Sequence, residues 1–283
     1  MKLKPAEPTS DRAQKSIRQE MGDLVPQITE TEDPLTPAFS SNSWIPGRKP
    51  NSQARLRLFC FPHAGGAASL FRNWSEGLPT DIEVCAVQFP GRGSRLLEPP
   101  FTRMPALVEA LEKTLHPLLD KPFALFGHSL GALVSFELAR AFETRFRIRP
   151  ICLFVSGAPA PPIPHRALPI HDLPESELSA ELRRLNGTPG ELLNDKELMG
   201  IVLPSVRADL GLYENYLYSS EPLLTCPISA FGGMDDDSVK HCDLEKWRDQ
   251  TTGSFSIRGF PGDHFFLRTA EKALLKTICQ ELR

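Results

Sequence analysis

The sequence has little of what membrane proteins and nucleic-acid-binding proteins need. No apolar run approaches the ~20 residues that a transmembrane helix requires. The formal net charge is −3, so there is no excess of basic side chains to bind a phosphate backbone. The N-terminus lacks the apolar segment of a secretory signal. We therefore expect neither a membrane nor a nucleic acid as a partner.

Cysteine is also sparse. The six cysteines are scattered, several of them inside apolar runs, and no two form the C-x-x-C pair that is common in zinc sites. This pattern is typical of buried free thiols in a reducing compartment. We predict no disulfide framework, no metal site and a cytoplasmic location.

What remains is the composition of a globular protein, with 41% hydrophobic and 24% charged residues. Residues 1–42 show no sustained hydrophobic periodicity and carry balanced charge, which is typical of a flexible tail. A docking segment for a partner is the alternative. Residues 43–283 are predicted to form the folded domain.

From residue 56 onward, short apolar runs alternate with helical patterns. The runs predict buried strands at 56–61, 82–90, 123–126, 151–158, 227–233 and 255–260. Helical spacing is found between them, for example at 104–119, and again in a final segment at 265–282. This alternation predicts an α/β protein with a mostly parallel central sheet flanked by helices.

The alternation is interrupted between residues 169 and 220, where only helical signals occur. An all-helical insertion in an α/β sheet is most simply a lid over the strand ends, where ligands bind. Helices that pack on the flank of the sheet are the alternative.

The strand that ends at Phe126 is followed by Gly127-His128-Ser129-Leu130-Gly131, which matches the G-x-S-x-G pattern of a nucleophile elbow. The two glycines leave room for a tight turn, and helical spacing follows at once. Ser129 is therefore predicted to be a catalytic nucleophile. A serine that merely caps the helix is the alternative.

A serine hydroxyl is activated by an imidazole, which needs a carboxylate to fix its tautomer. In the α/β-hydrolase chain order, the acid follows a later strand and the base follows the last one. Asp236 is the predicted acid, with Asp235 and Asp237 as rivals that spacing does not exclude. His264 is the predicted base, the alternative being an exposed loop histidine. The histidines interpreted as structural or surface residues are His116, His128, His165, His171 and His241.

The oxygen that becomes negative when Ser129 attacks a carbonyl needs preorganised hydrogen-bond donors. One predicted donor is the backbone N–H of Leu130. The second is that of Ala64, in the loop after the first strand, where two following glycines allow an amide to turn inward. His63 either orients this loop, meets the substrate or makes a structural hydrogen bond.

Six segments, taken in order, resemble the type II thioesterases, the discrete α/β-hydrolases that accompany nonribosomal peptide and polyketide synthases and also serve fatty acid synthesis. They are FPHAGG (61–66), FPGRGSRLLEPP (89–100), GHSLG (127–131), LRRLNGTPGELLNDKELMGIVLPSVRADL (182–210), FGGMDDDSV (231–239) and FPGDHFFL (260–267). The resemblance covers about residues 43–282. It implies Ser129 as nucleophile, Asp236 as acid, His264 as base, and the Ala64 and Leu130 amides as the oxyanion hole. The 169–220 insertion becomes a mobile lid, while the long tail departs from the family pattern.

The resemblance also implies an activity and a partner. A thioesterase of this type removes acyl groups from the phosphopantetheine of acyl or peptidyl carrier protein domains and needs no cofactor of its own. We expect a monomer that edits aberrant acyl groups. The alternatives are a product-releasing thioesterase of fatty acid or polyketide synthesis and a non-catalytic carrier-binding subunit.

Side chains outside the triad are candidates for substrate contacts. Arg92 and Arg95, in the loop after the second strand, are predicted to meet the pantetheine phosphate or an acidic carrier protein. A structural pair with Glu98 is the alternative. Leucines of the insertion are candidates for an acyl pocket, although most helical leucines belong to a core; they are Leu182, Leu185, Leu203, Leu210 and Leu212.

Overall fold

The apolar runs of the sequence form the strands of one parallel sheet. A computed structural model describes residues 41–163, 169–188, 190–220 and 222–283. Its strands are β1 (Leu56–Phe61), β2 (Ile82–Ala86), β3 (Phe123–His128), β4 (Leu153–Ser156), β5 (Ile228–Gly233) and β6 (Phe255–Phe260). They lie in the order β2-β1-β3-β4-β5-β6, and every neighbouring pair is parallel. The carboxyl ends of all the strands therefore meet at one edge.

Helices precede the sheet, connect its strands and end the chain. They are α1 (Ser41–Trp44), α2 (Trp74–Gly77), α3 (Met104–Leu115), α4 (Leu130–Ala141), α5 (Glu175–Leu185), α6 (Gly190–Asn194), α7 (Lys196–Glu214), α8 (His241–Glu245), α9 (Phe266–Thr269) and α10 (Glu271–Glu281). Parallel strands need such crossovers, because a short hairpin cannot return the chain to the same end of the sheet.

Both faces of the sheet are covered by helices. In β1, Phe59 and Phe61 belong to an apolar cluster that includes residues of α3 and α4. Leu58 and Cys60 point the other way, into a cluster that includes residues of α10. A strand that is buried on both faces has no polar side to show, and this is why β1 is a continuous apolar run.

The described residues between β4 and β5 include the helices α5, α6 and α7. We call residues 169–220 the helical insertion. Its helices form an apolar cluster of their own, separate from the two clusters of the sheet, with the buried members Leu178, Leu182, Leu193, Met199, Leu203, Val206 and Leu210. α7 continues through Pro204 without ending there.

The predicted α/β architecture with a parallel sheet is confirmed, and its differences from the prediction lie at element ends. β2 stops at Ala86 rather than at residue 90, since its last partner in β1 is Cys60. The predicted final helix is divided into α9 and α10. Residues 1–40 of the predicted tail lie outside the described residues. No helix among the described residues has both the length and the apolar character to cross a membrane.

Candidate active site

The turn between β3 and α4 forces Ser129 into a strained backbone conformation, with φ 54° and ψ −117°. A Cβ at Gly127 would lie 2.0 Å from the carbonyl oxygen of Gly131, and a Cβ at Gly131 would lie 2.2 Å from that of Phe61. Only glycine fits at either position. The Ser129 hydroxyl makes no capping hydrogen bond to α4, so the helix-capping interpretation is not supported.

The loops after β5 and β6 bring an acid and a base together. Nδ1 of His264 lies 2.7 Å from Oδ2 of Asp236, whose side chain is only 1% exposed. The other carboxylate oxygen accepts hydrogen bonds from the backbone N–H of Ser238 at 2.8 Å and from its hydroxyl at 2.6 Å. Because Asp236 accepts a hydrogen bond from Nδ1–H, the unprotonated Nε2 of His264 is free to act as a base.

Of the three consecutive aspartates, Asp236 is the one that contacts His264. Asp235 and Asp237 are exposed, and the Asp235 carboxylate accepts instead from the Gly262 N–H at 3.3 Å. Burial alone raises the pKa of Asp236, but the hydrogen bonds from His264 and Ser238 outweigh burial and bring the pKa below its usual value. The carboxylate therefore stays ionised beside the imidazole.

Ser129 and His264 line the same cavity. These two described side chains are not joined by a hydrogen bond, although the His264 ring lies 5.1 Å from that of His128, the residue before the serine. Contacts between a catalytic base and its nucleophile are often long without a ligand and tighten when substrate binds. Proton transfer from the serine would therefore follow once a bound substrate brings the two groups into contact.

The predicted oxyanion donors lie in the turn after β1 and at the start of α4. Among the described residues, neither the Ala64 amide nor the Leu130 amide has a hydrogen-bond acceptor. The neighbouring amide of Gly65 donates to a carboxylate at 2.7 Å, and that of Gly66 donates to the His63 carbonyl at 2.8 Å. Both amides that the sequence predicts as oxyanion donors are thus unbonded within the described part of the chain.

Two further histidines lie buried near His264. His63 lines the cavity, and its Nδ1 is 2.9 Å from the Ala64 carbonyl oxygen. Burial lowers the pKa of His63 to about 4, and burial also holds the pKa of His128 well below its usual value. Both rings are therefore neutral at physiological pH. No group of three or more His, Cys, Asp or Glu side chains in the described part of the chain is arranged to hold a metal ion.

The remaining histidines that the structure describes are away from the triad. His116 stacks on Phe146 at 4.3 Å, His171 is paired with Glu214, and His241 is exposed. His165 lies outside the described residues. For the three described positions, the interpretation as surface or packing residues agrees with these contacts.

The structure does not support substrate contacts by Arg92 and Arg95. Arg92 is 6% exposed and forms an ion pair with Asp209. Arg95 is 4% exposed, pairs with Glu98, and lies 3.9 Å above the ring of Trp44. Both guanidinium groups are used in internal contacts and neither lines the cavity at Ser129. The alternative pair with Glu98 is made by Arg95, whereas Arg92 pairs with Asp209, which the sequence did not predict.

The cavity at Ser129 has a volume of about 280 Å³ and lies beneath the helical insertion. Of the leucines predicted to line it, Leu182, Leu185 and Leu210 do so. Leu203 packs inside the cluster of the insertion, and Leu212 packs in the core of the sheet. A larger cleft of about 510 Å³ between α3, α4 and α7 contains none of the triad residues.

Sequence analysis missed two polar residues that support the site. Ser238 holds the carboxylate of Asp236, and the spacing Asp-x-Ser, typical of a turn closed by the aspartate, could have indicated it. Asp209 accepts the hydrogen bond from Gly65. An acidic residue next to the buried face of an amphipathic helix is a signal for a buried ion pair, although it does not identify the partner.

Comparison with known proteins agrees with this geometry. The family model described as a Thioesterase domain matches residues 56–282. The Gramicidin S biosynthesis protein GrsT of Aneurinibacillus migulanus is 46% identical over 242 residues, which cover 86% of this chain and 94% of that protein. Thioesterase PikA5 of Streptomyces venezuelae is 40% identical, with 89% of each chain covered.

A solved structure of the type II thioesterase BorB, from the borrelidin biosynthetic cluster, superimposes with a TM-score of 0.79. It is 38% identical and covers 85% of this chain and 98% of that one. These matches confirm the α/β-hydrolase fold and the resemblance predicted from the six motifs, and they identify a thioester hydrolase. The chain belongs to the thioesterase family, in which its similarity is to the type II enzymes.

Proposed function

We propose that this chain hydrolyses acyl thioesters carried on the phosphopantetheine of carrier protein domains, as an editing enzyme beside nonribosomal peptide or polyketide synthases. The observation that carries the proposal is the 2.7 Å contact between His264 and Asp236 beside a cavity that Ser129 lines. The relatives from gramicidin S and borrelidin biosynthesis support the proposal that the enzyme works beside a synthase of one of these kinds.

In this proposal the triad divides hydrolysis into two steps. Ser129 attacks the thioester carbonyl, and its proton passes to Nε2 of His264, while Asp236 stabilises the imidazolium. The imidazolium protonates the departing pantetheine sulfur, which leaves an acyl group on the serine oxygen. His264 then takes a proton from a water molecule as this water attacks the acyl-serine carbonyl. The imidazolium returns the proton to the serine oxygen as the acyl–oxygen bond breaks, which releases a carboxylic acid and restores Ser129 and neutral His264.

The oxyanion of each tetrahedral intermediate accepts hydrogen bonds from the amides of Ala64 and Leu130. The N-terminus of α4 points its positive end at the same place, since Leu130 is the first residue of that helix. A thioester carbonyl is weakly stabilised by resonance and its thiolate leaves readily. These groups are therefore sufficient for the proposed reaction, and it needs no cofactor from this chain.

The cavity at Ser129 favours an apolar acyl group through the side chains that line it. Its walls include Leu182, Val206, Leu210 and Phe265, which are apolar and buried. An acyl chain lying against them would be removed from water, which favours binding of apolar chains.

We assign the helical insertion as the lid of this cavity, and residues 43–283 as the catalytic domain. Side chains of α5 and α7 form part of the cavity wall, and every proposed site residue lies after residue 42. A chain that lacks residues 1–42 should therefore hydrolyse a small acyl thioester at the full-length rate. A folded but inactive truncation would contradict this assignment.

A cytoplasmic monomer is part of the same proposal, and the unpaired state of all six cysteines supports the reducing compartment.

The proposed function is tested with carrier proteins that carry different acyl groups on phosphopantetheine. Wild-type protein and Ser129→Ala are each incubated with these substrates, and acid release is followed by mass spectrometry. We expect release by the wild type only, with similar rates across several short acyl groups. Equal release by both proteins would refute the mechanism.

The acyl profile separates editing from product release. A strong preference for one long or mature product would favour a product-releasing enzyme. A wild-type protein that binds carriers without releasing any acyl group would favour a non-catalytic subunit. Labelling by a fluorophosphonate probe gives an independent control, since it should require Ser129.

A further inference from the structure

Helix α7 carries a buried carboxylate that contacts two loops at the strand ends. Asp209 is 2% exposed and forms a two-point ion pair with Arg92, which lies in the loop after β2. Its Oδ2 also accepts a hydrogen bond at 2.7 Å from the backbone N–H of Gly65, in the loop after β1. One side chain of the helical insertion therefore holds both loops.

The bond to Asp209 fixes the peptide next to the proposed oxyanion donor. The peptide unit between Ala64 and Gly65 is held at both ends, because its N–H donates to Asp209 and its carbonyl oxygen accepts from Nδ1 of His63 at 2.9 Å. Gly65 has φ +73°, and a Cβ there would lie 3.0 Å from Cγ2 of Val206, so α7 also packs closely on this turn. These contacts set the direction of the Ala64 amide.

The ion pair keeps the carboxylate compatible with the chemistry. An unpaired negative charge near the oxyanion hole would oppose the charge of the tetrahedral intermediate. Arg92 neutralises Asp209 and also donates to the Gly66 carbonyl at 3.3 Å. From the preceding turn of α7, Ser205 donates its hydroxyl to the carbonyl of Gly91. The helix and the two loops thus form one connected polar network.

We propose that Asp209 is a positioning residue for the oxyanion hole, so that the hole forms only when α7 is seated on the loop after β1. The inference rests on the proposed function, because it takes Ala64 as an oxyanion donor. Without the acceptor at position 209, the peptide between Ala64 and Gly65 loses the bond at its N–H end, the turn shifts, and the N–H of Ala64 leaves the position of the developing charge. Losing one oxyanion donor typically costs ~100-fold to 1000-fold in kcat, and we expect about 100-fold.

The test compares variants that differ in the acceptor at position 209. Arg92→Met with Asp209→Leu removes the acceptor and leaves no unpaired buried charge, so this double variant is expected to fold. Asp209→Asn keeps an oxygen that accepts from Gly65. The matched control is Arg57→Met with Glu83→Leu, which removes an ion pair of similar burial, with side chains 7% and 3% exposed against 8% and 2%.

On a small acyl thioester, the double variant at positions 92 and 209 should lose about 100-fold in kcat while KM changes by less than about threefold. Asp209→Asn should lose less than about tenfold in kcat, since its acceptor remains. The double variant should also bind an acyl trifluoromethyl ketone about 100-fold more weakly, because the Ser129 adduct of this inhibitor places an oxyanion in the hole. The control variant should keep the wild-type kcat and the wild-type affinity for the inhibitor.

When the reaction with a fluorophosphonate is complete, the labelled fraction of Ser129 gives the fraction of folded sites. This fraction should be equal in all variants. Wild-type kcat in the double variant at 92 and 209, a loss confined to KM, or an equal loss in the control would overturn the proposal. The small thioester separates this test from the proposed function. Failure with acylated carrier proteins would contradict that function and leave the kcat ratios on the small substrate measurable.

Discussion

The strand-end edge of the sheet and the helical insertion face each other across the cavity, and they are held in place differently. Helix α4, which follows the nucleophile, buries 11 of its 12 residues, whereas α5 of the insertion buries only Leu178 and Leu182 among its 11. The insertion adds a small apolar cluster and a few polar contacts to the sheet. The proposed nucleophile thus stands at the start of a deeply buried helix, whereas part of the cavity wall comes from a helix with few buried residues.

The largest effect is expected at the strand-end edge, where a change of the triad acid should lower kcat. Asp236→Asn should lower kcat by about 10⁴-fold, because the amide favours the wrong tautomer of His264 while the fold is retained. Asp237→Asn is the matched control, since this neighbour is exposed, and it should change kcat by less than about twofold. Hydrolysis of a small acyl thioester measures both. A loss of less than tenfold in Asp236→Asn would contradict the assignment of the acid.

The second prediction concerns packing at the elbow. Gly131→Ala should lower the free energy of unfolding by about 3 kcal/mol, because its Cβ would meet the carbonyl oxygen of Phe61 at 2.2 Å and backbone atoms cannot turn aside as a side chain can. Urea unfolding followed by circular dichroism measures the change. A variant with wild-type stability would show that this turn is less rigid than the structure indicates.

The free energy of unfolding should fall at acidic pH because of the buried histidines at the strand-end edge of the sheet. Burial lowers the pKa of His63 to about 4 in the folded protein, against 6.5 in the unfolded chain. Between these values the unfolded state binds a proton at position 63 that the folded state does not, so the free energy of unfolding falls as pH falls. For His63 the loss is roughly 3 kcal/mol over this range. His128 shifts in the same direction.

Urea unfolding at intervals from pH 7 to pH 4 measures this effect. His63→Asn should remove roughly 3 kcal/mol of the pH dependence, whereas His241→Asn, at an exposed position, should keep the wild-type curve. Asp236 acts in a lower range, because its pKa lies below 3.8 and its stabilisation is lost only as pH falls through that value. Identical curves for wild type and His63→Asn would rule out the buried, neutral imidazole.

The smallest change in the free energy of unfolding is expected for a variant in the helical insertion, and this change is stabilising. Gly200 lies inside α7, and a Cβ there would meet nothing within 4 Å. Gly200→Ala should therefore raise the free energy of unfolding by about 0.5 to 1 kcal/mol, through the helix propensity of alanine. The same urea assay applies. If Gly200→Ala were destabilising, the helical insertion would be packed as closely around this position as the strand-end edge is around its own glycines.

The strands and the location of the site could be predicted because their signals are local. β1 has the predicted bounds, since a strand that neighbours enclose leaves a continuous apolar run in the sequence. The bounds of β6 are also as predicted, although it is an edge strand with a mixed sequence. Parallel pairing then places the loops after β3, β5 and β6 at one edge, which is where the structure has Ser129, Asp236 and His264. The choice of Asp236 over its neighbours needed the geometry of the turn at Ser238.

Burial of the two arginines could not be predicted, because it depends on a distant segment. The sequence GRGSRLLEPP looks like an exposed loop, and its Arg92 is covered only because α7 brings Asp209, 117 residues later, against it. A single sequence gives no measure of such pairing. The same long-range contact hid the role of Asp209, so the sequence predicted the donor Ala64 without the residue that holds its turn.

The position of β6 at the edge of the sheet bears on the synthesis of the protein. The nucleophile follows β3, which pairs with β1 and β4, while the imidazole comes from the loop after β6, far later in the sequence. A nascent chain thus has its serine long before it has a base, and domains acquire structure as their segments emerge from the ribosome. Catalytic competence therefore arrives only after β6 and the loop that follows it have been made, and a messenger that stops before residue 264 yields a protein with a serine but no imidazole to activate it.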